Sequence, residues 1–146
     1  MKKIKYIKTL ILILICLCLF SSCSSPGWFT GNTKIIIGES EKFSREEIEQ
    51  AIEVAKKEEN GTYNATLLSI TYDEVMSESK VESYMNDGIN KVNPDRAKHI
   101  IVLFSDIKTY GDQVVLQPYK VYTGYHWILS REDANSPWTV VNRGFG

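Results

Sequence analysis

The side chains of this sequence that could bind a metal ion are few and far apart. Its two histidines, His99 and His126, are separated by 27 positions, and neither has a second histidine at a spacing typical of zinc sites. A zinc site needs three or four converging nitrogen, sulfur or oxygen ligands. We therefore expect no metal site and no cofactor, and two histidines that belong to the core or to strand edges.

Acid–base catalysis is an alternative that the residue types leave open. Tyr72, Asp106 and His126 have side chains that can donate or accept a proton. A catalytic role would require at least two of them to converge within hydrogen-bond reach in a cleft. The chain has no G-x-S-x-G nucleophile elbow, so the sequence does not predict a serine hydrolase.

Five aromatic residues form the main candidate binding set: Tyr72, Tyr122, Tyr125, Trp127 and Trp138. As a binding set they would line an open pocket between helix and sheet, or an apolar outer face for a protein partner or a second copy of the chain. As a structural set they would divide between the core and cross-strand pairs on the sheet. The sequence leaves both interpretations open.

The N terminus suggests a different chemistry, the acylation of a cysteine. Four lysines precede an uncharged, mostly apolar stretch over residues 9–20, and two serines stand directly before Cys23. This order is typical of a secretory signal peptide, and twelve apolar positions are too few to span a bilayer of about 30 Å. The junction resembles the lipobox of bacterial lipoproteins, which implies cleavage before Cys23 and a diacylglyceryl group on its thiol. The alternative is an ordinary signal peptide whose removal leaves a free thiol.

These boundaries predict a signal peptide over residues 1–22, a lipidated Cys23 with a flexible tether over residues 23–33, and one domain over residues 34–146. The processed protein would sit on the extracytoplasmic face of the cell membrane. Removing the four lysines leaves 13 basic residues against 18 acidic ones, a net charge of −5. We therefore expect membrane contact through the lipid and little else, and no nucleic-acid partner. No cysteine follows Cys23, so the domain has no disulfide.

Hydrophobic periodicity predicts two helices of unequal strength. The stronger spans residues 43–60, where Ser44 and Glu47 form a capping box and Ile48 begins an apolar stripe. A shorter helix is predicted over residues 77–86, with Ser77 as its N-cap. Residues 90–98 are expected to form a loop.

Five strands are predicted, over residues 34–38, 65–72, 99–107, 119–131 and 138–145. Alternation places Leu68 on one face with Ile70 and Tyr72, and places Tyr122 on one face with His126 and Ile128. The third strand is apolar on both faces, which is typical of a central strand covered on both sides. The long helix should cover one side, and the sequence assigns no cover to the other. The last two strands form a predicted antiparallel hairpin.

This order of elements resembles the cystatin-like or NTF2-like α+β rolls. The chain is more closely similar to an uncharacterised family of small lipoproteins from low-GC Gram-positive bacteria, through residues 36–44, residues 102–106 and a W-x-L-x-R pattern that ends at Arg131. The resemblance implies an α+β domain in which one long N-terminal helix packs on a curved antiparallel sheet. It implies no assigned activity.

Three functions are compatible with these observations. The first, which we favour, is a lipid-anchored, non-catalytic domain that binds a ligand or a protein partner. The second is an NTF2-like enzyme with an acid or base in the roll. The third is an envelope immunity or stress lipoprotein.

Overall fold

The computed structural model describes residues 33–59, 65–87, 94–111 and 116–146. The predicted signal peptide, Cys23 and all of the predicted tether except Thr33 lie outside the described residues. Within the described residues, neither helix combines the length and the apolar character needed to cross a membrane.

The described chain is an α+β domain with two helices and a five-stranded mixed sheet. The strands are β1 (Lys34–Ile37), β2 (Ala65–Tyr72), β3 (Ile100–Thr109), β4 (Val121–Ser130) and β5 (Thr139–Gly144). The helices are α1 (Arg45–Glu59) and α2 (Glu74–Asn86), with a short 3₁₀ helix at Pro94–His99 where a loop was predicted. The strand order is β1-β2-β3-β4-β5, so the sheet is open, with β1 and β5 at its edges.

The prediction of an antiparallel sheet is wrong for one strand pair. β1 and β2 are parallel, with Lys34 opposite Ser69, whereas the other three pairs are antiparallel. The reason is that α1 carries the chain back across the sheet between β1 and β2, as parallel strands require. The predicted hairpin of β4 and β5 is confirmed.

Helix α1 begins as predicted. The Ser44 hydroxyl accepts from the Glu47 amide at 3.2 Å, and the Glu47 carboxylate accepts from the Ser44 amide at 2.7 Å. This reciprocal pair is the predicted capping box. One stripe of the helix is buried against the sheet: Ile48, Ala51, Ile52 and Ala55.

Helix α2 begins three residues earlier than predicted and supplies the cover that the sequence left unassigned. Asp73, not Ser77, is its N-cap, because the Asp73 carboxylate accepts from the Met76 amide at 2.9 Å. The Ser77 hydroxyl instead accepts from the backbone amide of Val102 on β3 at 3.0 Å. A second apolar cluster lies under α2: Val81, Ile100, Val102 and Ile128. The predicted two-sided burial of β3 is therefore confirmed.

Two β-bulges make the predicted strand faces wrong in part. In β2 the register shifts between Leu67 and Ser69, so Leu67 is buried in the core with Ile70 and Tyr72, and Leu68 is exposed. In β4 two residues, Thr123 and Gly124, stand opposite one residue of β3. Because each bulge inserts one residue, it reverses the inside–outside alternation beyond it.

Candidate functional site

The three predicted acid–base residues lie apart. Tyr72 belongs to the core cluster under α1, where its hydroxyl is 3.3 Å from both the Ser40 hydroxyl and a Glu74 carboxylate oxygen. Asp106 accepts a hydrogen bond from the Ser69 hydroxyl at 3.0 Å. His126 stands opposite Phe104, which packs against the cluster on the α2 side. Among the described residues, no hydrogen bond joins any two of the three predicted residues.

Burial sets the protonation of two of these groups. It raises the pKa of the Tyr72 hydroxyl to about 12, and the nearby Glu74 charge adds to this effect although the Ser40 hydrogen bond opposes it. Burial lowers the pKa of His126, and the positive charge of Lys80 lowers it further. At neutral pH both side chains are therefore uncharged.

The candidate aromatic set is mostly buried. Tyr72, Tyr125, Trp127 and Trp138 all belong to the core cluster, and Tyr122 packs partly buried against it. The bulge at Gly124 explains the position of Tyr122, which was predicted on the face of His126. The polar atoms of the two tryptophans are used internally: the Trp127 indole donates to the Ser105 hydroxyl at 3.0 Å and the Trp138 indole to the Glu47 carbonyl at 3.0 Å. In this structure the set holds the hairpin and the helix together.

Arg131 is the centre of a buried cluster that the sequence did not reveal. Its side chain forms an ion pair with Glu47, and it donates to the Ala134 carbonyl at 3.1 Å. Its guanidinium group lies 4.4 Å from the centre of the Trp138 ring and 5.8 Å from that of Phe43. The cluster fastens the start of α1 to the turn between β4 and β5. The W-x-L-x-R pattern contained the arginine but not its partner, 84 positions earlier.

The Glu47 carboxylate serves both the capping box and the Arg131 ion pair. Burial raises its pKa, but hydrogen bonds from Arg131 and Ser44 outweigh that effect and hold the pKa below its ordinary value. The carboxylate therefore stays charged, and the ion pair persists, to a lower pH than for an ordinary glutamate.

An open groove of about 540 Å³ lies beside this cluster, between the exposed side of α1 and the start of β5. Its lining residues are Glu46, Glu49, Gln50, Glu53, Val54, Pro137 and Trp138. Arg45 pairs with Glu49 at 2.9 Å and Lys56 pairs with Glu53 at 2.7 Å, whereas Glu46 makes no ion pair with any described residue. The groove thus combines a carboxylate wall with apolar surface, a combination suited to a segment that carries both cationic and apolar side chains.

Glu59, the last residue of α1, is a buried carboxyl group that no sequence pattern indicated. It is 2% exposed, and neither side-chain oxygen has a hydrogen-bond partner among the residues that the structure describes. Burial raises its pKa to about 7, although the positive charge of Arg143 on β5 opposes the rise. A pKa near neutrality is typical of general acids and bases. Each oxygen exposes less than 1 Å², however, so a substrate has no access to the group in this structure.

Among the described residues, no three histidine, cysteine, aspartate or glutamate side chains gather to hold a metal ion. Comparison with protein-family models, curated proteins and solved structures finds no match to this chain. The groove and the buried charged groups must therefore be interpreted from their own geometry.

Proposed function

We propose that this protein is a lipid-anchored, extracytoplasmic binding domain, attached to the membrane through Cys23 and without catalytic activity of its own. Its partner would be a protein segment that presents basic and apolar side chains. The basic, apolar and small-residue order of the N terminus supports the anchor. The packing of α1 on the sheet, followed by a terminal hairpin, supports kinship with the cystatin-like or NTF2-like rolls, from which the parallel β1 departs.

The groove beside α1 is the observation that carries this proposal. Its volume of about 540 Å³ is within the range of ligand sites, and Glu46, which has no ion pair within the described ranges, offers a charge for a cationic side chain. Val54, Pro137 and the edge of Trp138 offer apolar contact. The Arg131 cluster fixes the two walls relative to each other, so a partner would meet a preformed site.

The positions of the acid–base candidates support a role without catalysis. Tyr72 and His126 lie on opposite faces of the sheet, and Asp106 is engaged by Ser69. Catalysis by these residues would require two of them to meet at one cleft.

The anchor is tested by feeding cells a fatty-acid probe. The wild-type protein should be labelled and recovered with membranes, and a Cys23→Ala variant should lose both properties because no other acceptor sulfur follows the cleavage site. A Cys23→Ala variant that stays labelled would contradict the anchor.

The groove is tested by a photo-crosslinking amino acid placed at Gln50 in cells. Gln50 lines the groove, and exposed Ser79 on α2 is the matched control position. We expect one discrete crosslinked product from position 50 and none from position 79. A Glu46→Lys change should remove the product, because it replaces the carboxylate by a positive charge that repels the basic side chains of the partner. Equal products from both positions, or a product unaffected by Glu46→Lys, would contradict a specific partner site in the groove.

A further inference from the structure

One end of the sheet, which we call the basic–aromatic end, combines lysines with exposed aromatic and apolar side chains. At this end β2 begins, β3 finishes and β4 begins, since Ala65 stands opposite Thr109 and Lys108 stands opposite Val121. Strand β1 begins further in, with Lys34 opposite Ser69, and runs away from this end. The residues that define the basic–aromatic end are Lys108, Tyr110, Tyr119, Lys120 and Val121.

Three apolar or aromatic side chains of this end are open to solvent. Tyr119 is 71% exposed and Val121 is 56% exposed, and Tyr110 is exposed beside them. The Lys108 ammonium lies 5.4 Å from the centre of the Tyr110 ring. Tyr119 lies in the turn before β4 and has a backbone φ of 57°, which is uncommon for a bulky residue. Tyrosine and lysine together are the residue types that favour the boundary between membrane and water.

The opposite end of the sheet carries carboxylates together with the basic side chains of Lys42, Arg45, Arg96 and Lys98. Around the opposite end, carboxylates follow β1, β2 and β4: Glu39, Glu41, Asp73, Glu74, Glu132 and Asp133. At the basic–aromatic end, Asp106 is hydrogen-bonded to Ser69, and Glu58 is paired with Arg143 at 3.5 Å. The net charge of −5 expected after processing therefore does not prevent one end from approaching an anionic surface.

Because β1 runs away from the basic–aromatic end, the predicted tether would reach the domain from the side of that end. Ten residues separate Cys23 from Lys34, the first residue of β1, and a flexible segment of that length spans about 17 Å. An acyl group on Cys23 would thus hold the start of β1 close to the lipid headgroups.

We propose that the basic–aromatic end rests on the membrane surface, with Tyr110 and Tyr119 at the interface and Lys108 and Lys120 among anionic headgroups. This inference rests on the proposed anchoring through Cys23 and adds a fixed orientation of the domain. It replaces the expectation that the lipid is nearly the whole membrane contact.

The test uses the lipidated protein, purified from membranes and reconstituted into vesicles of phosphatidylcholine and phosphatidylglycerol. Because Cys23 would be the one cysteine left after processing and its sulfur would be acylated, an introduced cysteine can carry a single environment-sensitive fluorophore. One variant is Tyr119→Cys, at the basic–aromatic end. The matched control is Val75→Cys, which is 79% exposed in the first turn of α2 at the opposite end.

We expect the fluorophore at position 119 to emit at shorter wavelength on reconstitution and to be quenched by nitroxide-labelled lipid, and the fluorophore at position 75 to do neither. Adding Lys108→Glu and Lys120→Glu to the first variant should abolish its shift. Vesicles of phosphatidylcholine alone should give a smaller shift, because the lysines then lose their anionic partners.

Water-like emission at both positions, in protein that floats with the vesicles, would overturn the proposed orientation and leave the anchor intact. Protein that does not float with the vesicles would overturn the anchor and the orientation together. A shift at both positions would mean that the domain has no preferred face, which also contradicts the inference.

Discussion

Replacing Glu59 by glutamine should change how the stability of the domain depends on pH. The carboxyl group is buried at the end of α1, without a hydrogen-bond partner in the described part of the chain, and the helix dipole there also disfavours a negative charge. Its pKa of about 7 in the folded chain compares with an ordinary value of 4.5. The folded state therefore holds this proton more tightly than the unfolded state does.

The direction of the effect follows from that difference. The stabilising contribution of the protonated Glu59 is fully present below pH 4.5, falls as the pH rises from 4.5 to 7, and is gone above pH 7. At about 1.4 kcal/mol for each tenfold difference in proton affinity, the wild-type protein loses about 3 kcal/mol of unfolding free energy across that window. Glu59→Gln removes this loss, because the amide does not ionise.

The assay is urea denaturation followed by tryptophan fluorescence, at pH 5 and at pH 8, for wild type and Glu59→Gln. A buried amide without a partner has a cost of its own, but that cost is the same at both pH values. The informative quantity is therefore the difference in unfolding free energy between variant and wild type, measured at each pH. Between pH 5 and pH 8 this difference should shift in favour of the variant by about 2–3 kcal/mol. Exposed Glu46, which has no ion pair with a described residue, gives the control Glu46→Gln with a difference near zero. An equal stability difference at both pH values would refute the reasoning.

Three further predictions concern the Arg131 cluster, the β4 bulge and a buried histidine. Arg131→Ala should lower the unfolding free energy by about 3 kcal/mol in urea denaturation, because it leaves Glu47 partly buried without its ion-pair partner. The double variant Arg131→Ala with Glu47→Gln should lose less unfolding free energy than the two single variants together. Gly124→Ala should lower the unfolding free energy by about 1–2 kcal/mol in the same assay, because Gly124 has a φ of +72° that strains a residue with a side chain. The added carbon meets no atom within 4 Å, so the cost is backbone strain and not a clash. The His126 imidazole should titrate below 6.5 in an NMR pH series, because burial and Lys80 lower its pKa. Since the folded state favours the neutral ring, its contribution to stability is present above pH 6.5 and is lost as the pH falls through the lowered pKa. A midpoint at or above 6.5 would contradict that burial effect.

Features encoded within a few residues could be predicted from the sequence. The capping box of Ser44 and Glu47, the stripe that starts at Ile48 and the turn before β5 each depend on neighbours along the chain. The predicted N-cap of α2, Ser77, is wrong. Asp73 caps the helix, and the Ser77 hydroxyl accepts instead from the Val102 amide on β3, a long-range contact that the local pattern does not contain.

Features that depend on pairing between distant segments could not be predicted. The bulges at Leu68 and Gly124 arise from how β2 and β4 align with β3, and a single-strand pattern does not contain that alignment. The same holds for the candidate site: Arg131 and Glu47 lie 84 positions apart, and the groove forms where α1 meets the start of β5. The burial of Glu59 against Arg143 is likewise a tertiary property.

The two proposed surfaces lie at opposite ends of the domain, so the orientation of one determines the direction in which the other faces. The groove is lined by the first half of α1 and by Pro137 and Trp138, which follow the end of β4, whereas the tether enters at Lys34, where β1 begins. If the basic–aromatic end rests on lipid, the groove points away from the membrane and is open to a partner in the envelope. Lengthening the tether by ten flexible residues should then weaken the fluorophore shift at position 119, because the effective concentration of the lipid surface falls. Crosslinking from Gln50 should be unchanged, since the groove is built from the folded domain alone. A loss of both signals would show instead that partner binding depends on the distance between the groove and the membrane.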